Sequence, residues 1–122
     1  MRPEILALAL AAIAVGGSAH ADMSGLVGNT AIGTTPGDGL TRRIQLRGDG
    51  SYRITVSDGS VSSGTWTTDG AKLCFKRVDP KPAAGEQNPL CVLGLDGHKV
   101  GDTWQTTGHH GLPMTMSVVA GQ

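Results

Sequence analysis

The chain reads as an all-β protein, an antiparallel meander of about eight strands closing into a small barrel and stapled by one disulfide. Three observations predict this. Asp-Gly pairs recur at Asp49-Gly50, Asp58-Gly59 and Asp69-Gly70, at spacings of nine and eleven residues, and Asp-Gly between alternating runs is a strong short-range hairpin signal. Between the pairs, apolar residues alternate with polar ones, the period of a strand with one buried face. Nineteen glycines against four aromatics (Tyr52, Trp66, Phe75, Trp104) is the composition of a turn-rich sheet.

Taken in order, the chain opens on a leader. Arg2 precedes an apolar run from Ile5 to Val15, and small residues follow, ending Ala19-His20-Ala21. That is the layout of a secretory signal peptide cleaved after Ala21. The run is far shorter than the ~20 residues a spanning helix needs, so residues 1–21 are expected to be removed rather than to anchor the protein. Residues 22–122 then form a single periplasmic or secreted domain that is free of the membrane.

The first strand is expected over Leu26 to Gly33, weakened by its glycines, and Thr34 to Gly39 is a loop of breakers. Arg42 to Arg47 alternates, with Ile44 and Leu46 on one face and Arg43, Gln45 and Arg47 on the other. After Gly48-Asp49-Gly50, Tyr52, Ile54 and Val56 repeat the pattern, which makes this pair the clearest hairpin. Ser60 to Thr68 follows, with Trp66 sharing a face with Ser62 and Gly64, and then Lys72 to Val78, with Leu73 and Phe75 opposed to Lys72, Cys74 and Lys76. Asp79 to Pro89 holds three prolines and no apolar period, so it is an exposed loop. Leu90 to Leu95, Lys99 to Thr107 (Val100, Trp104 and Thr106 on one face) and Pro113 to Val119 (Met114, Met116 and Val118 on one face) complete the count. Eight antiparallel strands favour a closed barrel, which leaves no free edge.

Charge and cysteine narrow the function classes. Ten Lys/Arg balance ten Asp/Glu, so no net field attracts nucleic acid or anionic lipid, and neither is an expected partner. Cys74 and Cys91 are the only thiols, an even number in an oxidising compartment, and are expected to be joined. Closing the loop between them is worth roughly 3 kcal/mol in the chain-entropy account. A monomer is expected.

Catalysis finds little support. There is no G-x-S-x-G elbow, and five of the acidic residues are the Asp of an Asp-Gly turn, a structural duty. Alternation places Asp102 between Val100 and Trp104 on an apolar face, although a strand-end position is the plainer account. Metal ligation has one candidate, the segment His109-His110-Gly111-Leu112-Pro113-Met114-Thr115-Met116. Its imidazoles and thioethers suit copper, whereas the plainer account makes the histidines solvated and the methionines core.

Gly28-Asn29-Thr30 in a first strand, then Gly64-Thr65-Trp66, Leu73-Cys74 and a second cysteine at Cys91 resemble small exported bacterial lipocalin-like domains of undetermined function. More distantly they resemble the calycin barrels, which include avidins, lipocalins and bacterial protease inhibitors. In lipocalins and avidins the Gly-x-Trp belongs to the first strand, whereas here it falls in about the fourth, so no binding residue is carried over. The resemblance implies a barrel. The expected function is therefore a non-enzymatic binding or inhibitory module that takes a small ligand in the barrel mouth or a protein partner through its loops. Trp66, Trp104, Tyr52 and Asp102 are the expected cavity residues, and copper binding through His109, His110, Met114 and Met116 is the alternative.

Overall fold

A computed structural model describes residues 21–108 and 111–122. The leader up to His20, and the His109-His110 pair, lie outside the described residues. Eight strands follow one another: β1 (Thr30–Thr35), β2 (Leu40–Leu46), β3 (Ser51–Val56), β4 (Val61–Asp69), β5 (Lys72–Asp79), β6 (Leu90–Val92), β7 (Thr103–Thr107) and β8 (Pro113–Val119). All pair antiparallel in one curled sheet of order β6-β5-β4-β3-β2-β1-β8-β7, with no helix among the described residues.

This is the predicted all-β meander, corrected first in its closure. The sheet is a half-barrel rather than a closed barrel, and it is open between β6 and β7, not where the chain begins and ends. The cause is local. Gly94 takes φ 90, a left-handed backbone that glycine adopts without steric cost, and it turns the chain out of the sheet after Val92. The strand expected over Leu90 to Leu95 is therefore three residues long. On the other side of the gap β7 starts only at Thr103, because Gly97 to Asp102 is a turn and Val100 is exposed. Across the seam a side chain stands in for a backbone ladder: Trp104 Nε1–H donates to the Gly94 carbonyl at 2.7 Å, and Thr106 packs on Gly94.

The Asp-Gly turns are real, but the first two are longer than a two-residue type I′ turn. Gly50 N–H donates to the Arg47 carbonyl, and Arg47 N–H to the Ser51 carbonyl. That is a three-residue loop built on a type I turn with Gly50 in the left-handed region at φ 89. Val56 to Ser60 repeats the pattern around Gly59. At the third pair the register sets Asp69 opposite Lys72, so Asp69 closes β4 and the two-residue loop is Gly70-Ala71.

Register fixes which side chains face inward. Ala31 lies opposite both Ile44 and Val118, Ile44 opposite Ile54, Leu46 opposite Tyr52, and Leu73 opposite Val92. The core gathers at one end of the cup, where Leu46 and Leu73 are fully buried and Tyr52 is 2 % exposed. Burying each such leucine is worth about 1.5–3 kcal/mol. The segment expected to begin the first strand instead crosses this end. Met23 and Leu26 are buried there, and Val27 makes one bridge to Leu46.

Cys74 and Cys91 lie directly opposite each other on β5 and β6 and are bonded. Cys74 keeps the strand parity of the exposed Lys72 and Lys76 but is itself buried. Leu93, just past the end of β6, is exposed at the open side, and Leu95 reaches the core only because the turn at Gly94 intervenes. Among the described residues no helix is long and apolar enough to cross a membrane.

A candidate ligand-binding cup

The two ends of the half-barrel are built differently. At the closed end the termini are tied together. Asn29 Nδ2–H donates to the Gly25 carbonyl at 3.1 Å and Asn29 Oδ1 accepts from Gly121 N–H at 3.1 Å, while Thr30 Oγ1–H donates to the Gly121 carbonyl at 2.7 Å. Gly28-Asn29-Thr30 is thus a latch between the N-terminal plug and the C-terminus. Toward the other end, where the β1–β2, β3–β4, β5–β6 and β7–β8 connections lie, the inner face encloses a cavity of about 320 Å³.

Its walls are mainly apolar. Ile44, Ile54, Phe75, Leu90, Leu112 and Met114 line it, and Phe75 forms its floor. Beneath, Tyr52 packs edge-to-face on Phe75 with ring centroids 4.9 Å apart, and burial pushes the Tyr52 phenol up from its ordinary pKa. Gly33 makes room on one wall: a Cβ there would lie 2.8 Å from both Met114 Sδ and Met116 Sδ. The two sulfurs therefore converge on the space that glycine leaves.

Polar groups cluster at the rim. Arg42 donates to Asp38 Oδ2 at 3.1 Å and to Thr35 Oγ1 at 3.2 Å. The Leu40 N–H, and after it Arg42, hold the Asp38 carboxyl below the usual range against some desolvation. Arg77 donates from Nε to the Pro80 carbonyl at 2.9 Å and from its terminal nitrogen to Glu86 at 2.6 Å. The loop between β5 and β6 is folded back on the same arginine, since Arg77 N–H donates to Asn88 Oδ1 at 2.8 Å. The Ala83 N–H, then Arg77, lower the Glu86 pKa. Asp38, Arg42 and Arg77 all line the cavity.

The four residues expected to form a cavity lie elsewhere. Tyr52 is below the floor. Trp66 sits at the closed end, its Nε1–H donating to the Arg47 carbonyl at 3.0 Å and its backbone N–H to Gly50, so it clamps the β2–β3 turn. Trp104 spans the seam, with His98 stacked on it at 3.4 Å and 4° between planes. Asp102 stands at the strand end: it accepts from Lys99 N–H at 3.0 Å, its Oδ2 lies 3.2 Å from His98 Nδ1, and these contacts lower its pKa, Lys99 first. None of the four lines the cavity.

Met114 and Met116, named as metal candidates, do line it, whereas His109 and His110 lie outside the described residues. Among the described residues no three His, Cys, Asp or Glu side chains group as a metal site. The rim arginines were missed by sequence reasoning, although a signal was present. Arg42 shares parity with Ile44 and Leu46, and Arg77 with Leu73 and Phe75, so alternation alone puts both on the inner face.

The architecture is compatible with a calycin-type barrel. Compared with protein-family models, with curated proteins and with solved structures, the chain has no match.

Proposed function

We propose that the chain is an exported, non-enzymatic binding module of the lipocalin-like kind, holding a small and largely apolar ligand in the cup. The observation that carries this reading is the cavity of about 320 Å³ above Phe75, within the range of roughly 300–1,000 Å³ typical of ligand pockets. It is lined by apolar groups and has a few polar ones at its rim, the usual division between affinity and orientation. The Cys74–Cys91 bond supports export, because such bonds persist in oxidising compartments.

The test is to fill the cup. Ile54→Trp projects a larger ring into the cavity from β3 and should abolish binding of a neutral apolar fluorescent probe, with the fold retained by circular dichroism. Binding unchanged in a folded Ile54→Trp protein, or absent from the wild type, defeats the reading. Fractionation of cells expressing the full chain should place the processed protein outside the cytoplasm.

A second reading, soft-metal binding, is favoured by the convergence of Met114 and Met116 sulfurs over Gly33, since thioethers suit Cu(I). Titration with Cu(I) against a competing chelator tests it, and an affinity unchanged in the Met114→Leu/Met116→Leu protein rejects it.

A further inference from the structure

The geometry points to an anionic amphiphile as the class of ligand the cup takes: a small molecule whose carboxylate or phosphate head meets Arg42 and Arg77 and whose single short apolar body lies on Phe75. This rests on the cup being a ligand site and adds the chemistry of its occupant.

Position is the first reason. Arg42 lies two residues from Ile44 on β2, and Arg77 two residues from Phe75 on β5, so on the inner face each cation sits one step nearer the rim than an apolar wall residue. Strands β3 and β4 separate them, contributing Val56 opposite Arg42 and the small Ser62 to the cavity lining between the two cations. Their side chains are only 26 % and 28 % exposed. They are folded against the cup rather than extended into water.

Satisfaction of donors is the second reason. A guanidinium carries five N–H groups and no acceptor. Arg42 uses one toward Thr35 and one toward Asp38; Arg77 uses one toward Pro80 and one toward Glu86. Among the described residues the other three on each have no protein partner, in a setting that is already partly dehydrated. A wholly apolar occupant would strip water from these donors without replacing it, and such unpaired polar groups are costly. A carboxylate or phosphate replaces that water with charge-assisted bonds, the fork of arginine matching either oxyanion.

Charge and size exclude the alternatives. Asp38 pairs with Arg42 and Glu86 with Arg77, so the head is chosen by the remaining guanidinium N–H groups, which only donate and offer nothing to an ammonium head. Below the rim Ile44, Ile54 and Phe75 offer nothing to the hydroxyls of a sugar. A volume near the low end of ligand pockets admits one short chain rather than a two-chain lipid.

Calorimetric titration of the purified, disulfide-intact protein with octanoate, octyl phosphate and 1-octanol tests the assignment. Both anions should bind about tenfold or more tightly than the alcohol of equal length, and Arg42→Gln and Arg77→Gln should each narrow that gap. Equal affinity for all three overturns the anionic head while the cup remains a ligand site. No binding by any of them defeats the cup itself. A preference that persists in the folded double Gln variant overturns the assignment to these guanidiniums. The wild-type comparison needs no variant, and Arg77→Lys, which keeps the charge but loses the fork, supplies an intermediate gap should the Gln proteins fail to fold.

Discussion

Asp49 Oδ1 accepts from both the N–H and the hydroxyl of Ser51, at 2.9 and 2.6 Å, and Asp58 treats Ser60 in the same way. Asp22 repeats the device with Ser24 ahead of the plug. In each case the serine hydroxyl, then its N–H, hold the carboxyl below its ordinary pKa. Each turn is thus stabilised by the ionised form. Because the folded pKa lies below the unfolded one, the stabilisation is complete above about pH 4 and is lost as the pH falls through the folded value. The thermal midpoint should be flat between about pH 5 and 7 and fall below about pH 4. Asp49→Asn/Asp58→Asn keeps an acceptor without a proton to gain and should flatten the acid limb; an unchanged limb in a calorimetric pH series would put the linkage elsewhere. Gly64 makes a different point. The sheet register slips between Ser63 and Gly64, and a Cβ on Gly64 would fall on the Lys76 carbonyl oxygen. Gly64→Ala should cost about 2–3 kcal/mol by urea denaturation, against near zero if β5 simply moves aside. Gly64-Thr65-Trp66 is therefore scaffold: the glycine admits β5 and the tryptophan clamps a turn.

At the scale of the element, what was legible in the chain follows from what its apolar residues do. Strands β2, β3, β4, β5 and β8 could be read to within two residues because each alternates about a buried face and most are bounded by a turn with its own side-chain chemistry. The start of β1 was misplaced because Leu26 and Val27 are apolar for another reason, the plug. Val100 looked like a strand residue and lies in a turn. The shortness of β6 depended on the positive φ of Gly94, and sequence marks a glycine without saying which conformation it takes. The candidate site fared worse for a related reason: large aromatics attract attention, yet here they secure the floor and the seam, whereas the cavity is made by medium-sized aliphatics and two arginines of ordinary alternation. Strand β6 has a single ladder partner, β5, over three residues, and the Cys74–Cys91 bond crosses that pairing. Cys74→Ser/Cys91→Ser should therefore lose about 3 kcal/mol in urea, and the loss should first appear as detachment of β6. A drop below about 1 kcal/mol would mean that the unfolded chain gains little freedom from the missing link.

The whole molecule combines a sealed end with a gap. Plug, C-terminus and the β2–β3 turn are tied together at the closed end, where Gln122 Nε2–H groups reach the carbonyls of Asn29 and Leu46 at 2.9 and 2.8 Å. The side between β6 and β7 has no backbone ladder, and Val92, Leu93, Thr106 and Thr107 line both the cavity and a second hollow outside it. Since β6 and β7 run in opposite directions, a strand inserted between them would have to lie parallel to one of its neighbours, whereas direct pairing of β6 with β7 would be antiparallel throughout and would complete the barrel. The cup is thus open along a line where it has the geometry to close. Local opening follows the density of buried contacts and paired amides, so stability should fall from the closed end toward this seam. In native-state hydrogen exchange the amides of β2 and β3 should be protected close to the global unfolding limit, and those of β6 and of the free edge of β7 should exchange orders of magnitude faster. A saturating ligand seated on Phe75 should slow the seam amides more than those of the closed end, because it gives both edges a common surface to pack against. Uniform strong protection in the free protein would mean that β6 and β7 are already paired in solution. Rapid exchange at the seam that a bound ligand leaves unchanged would mean that the cup fills without drawing its edges together.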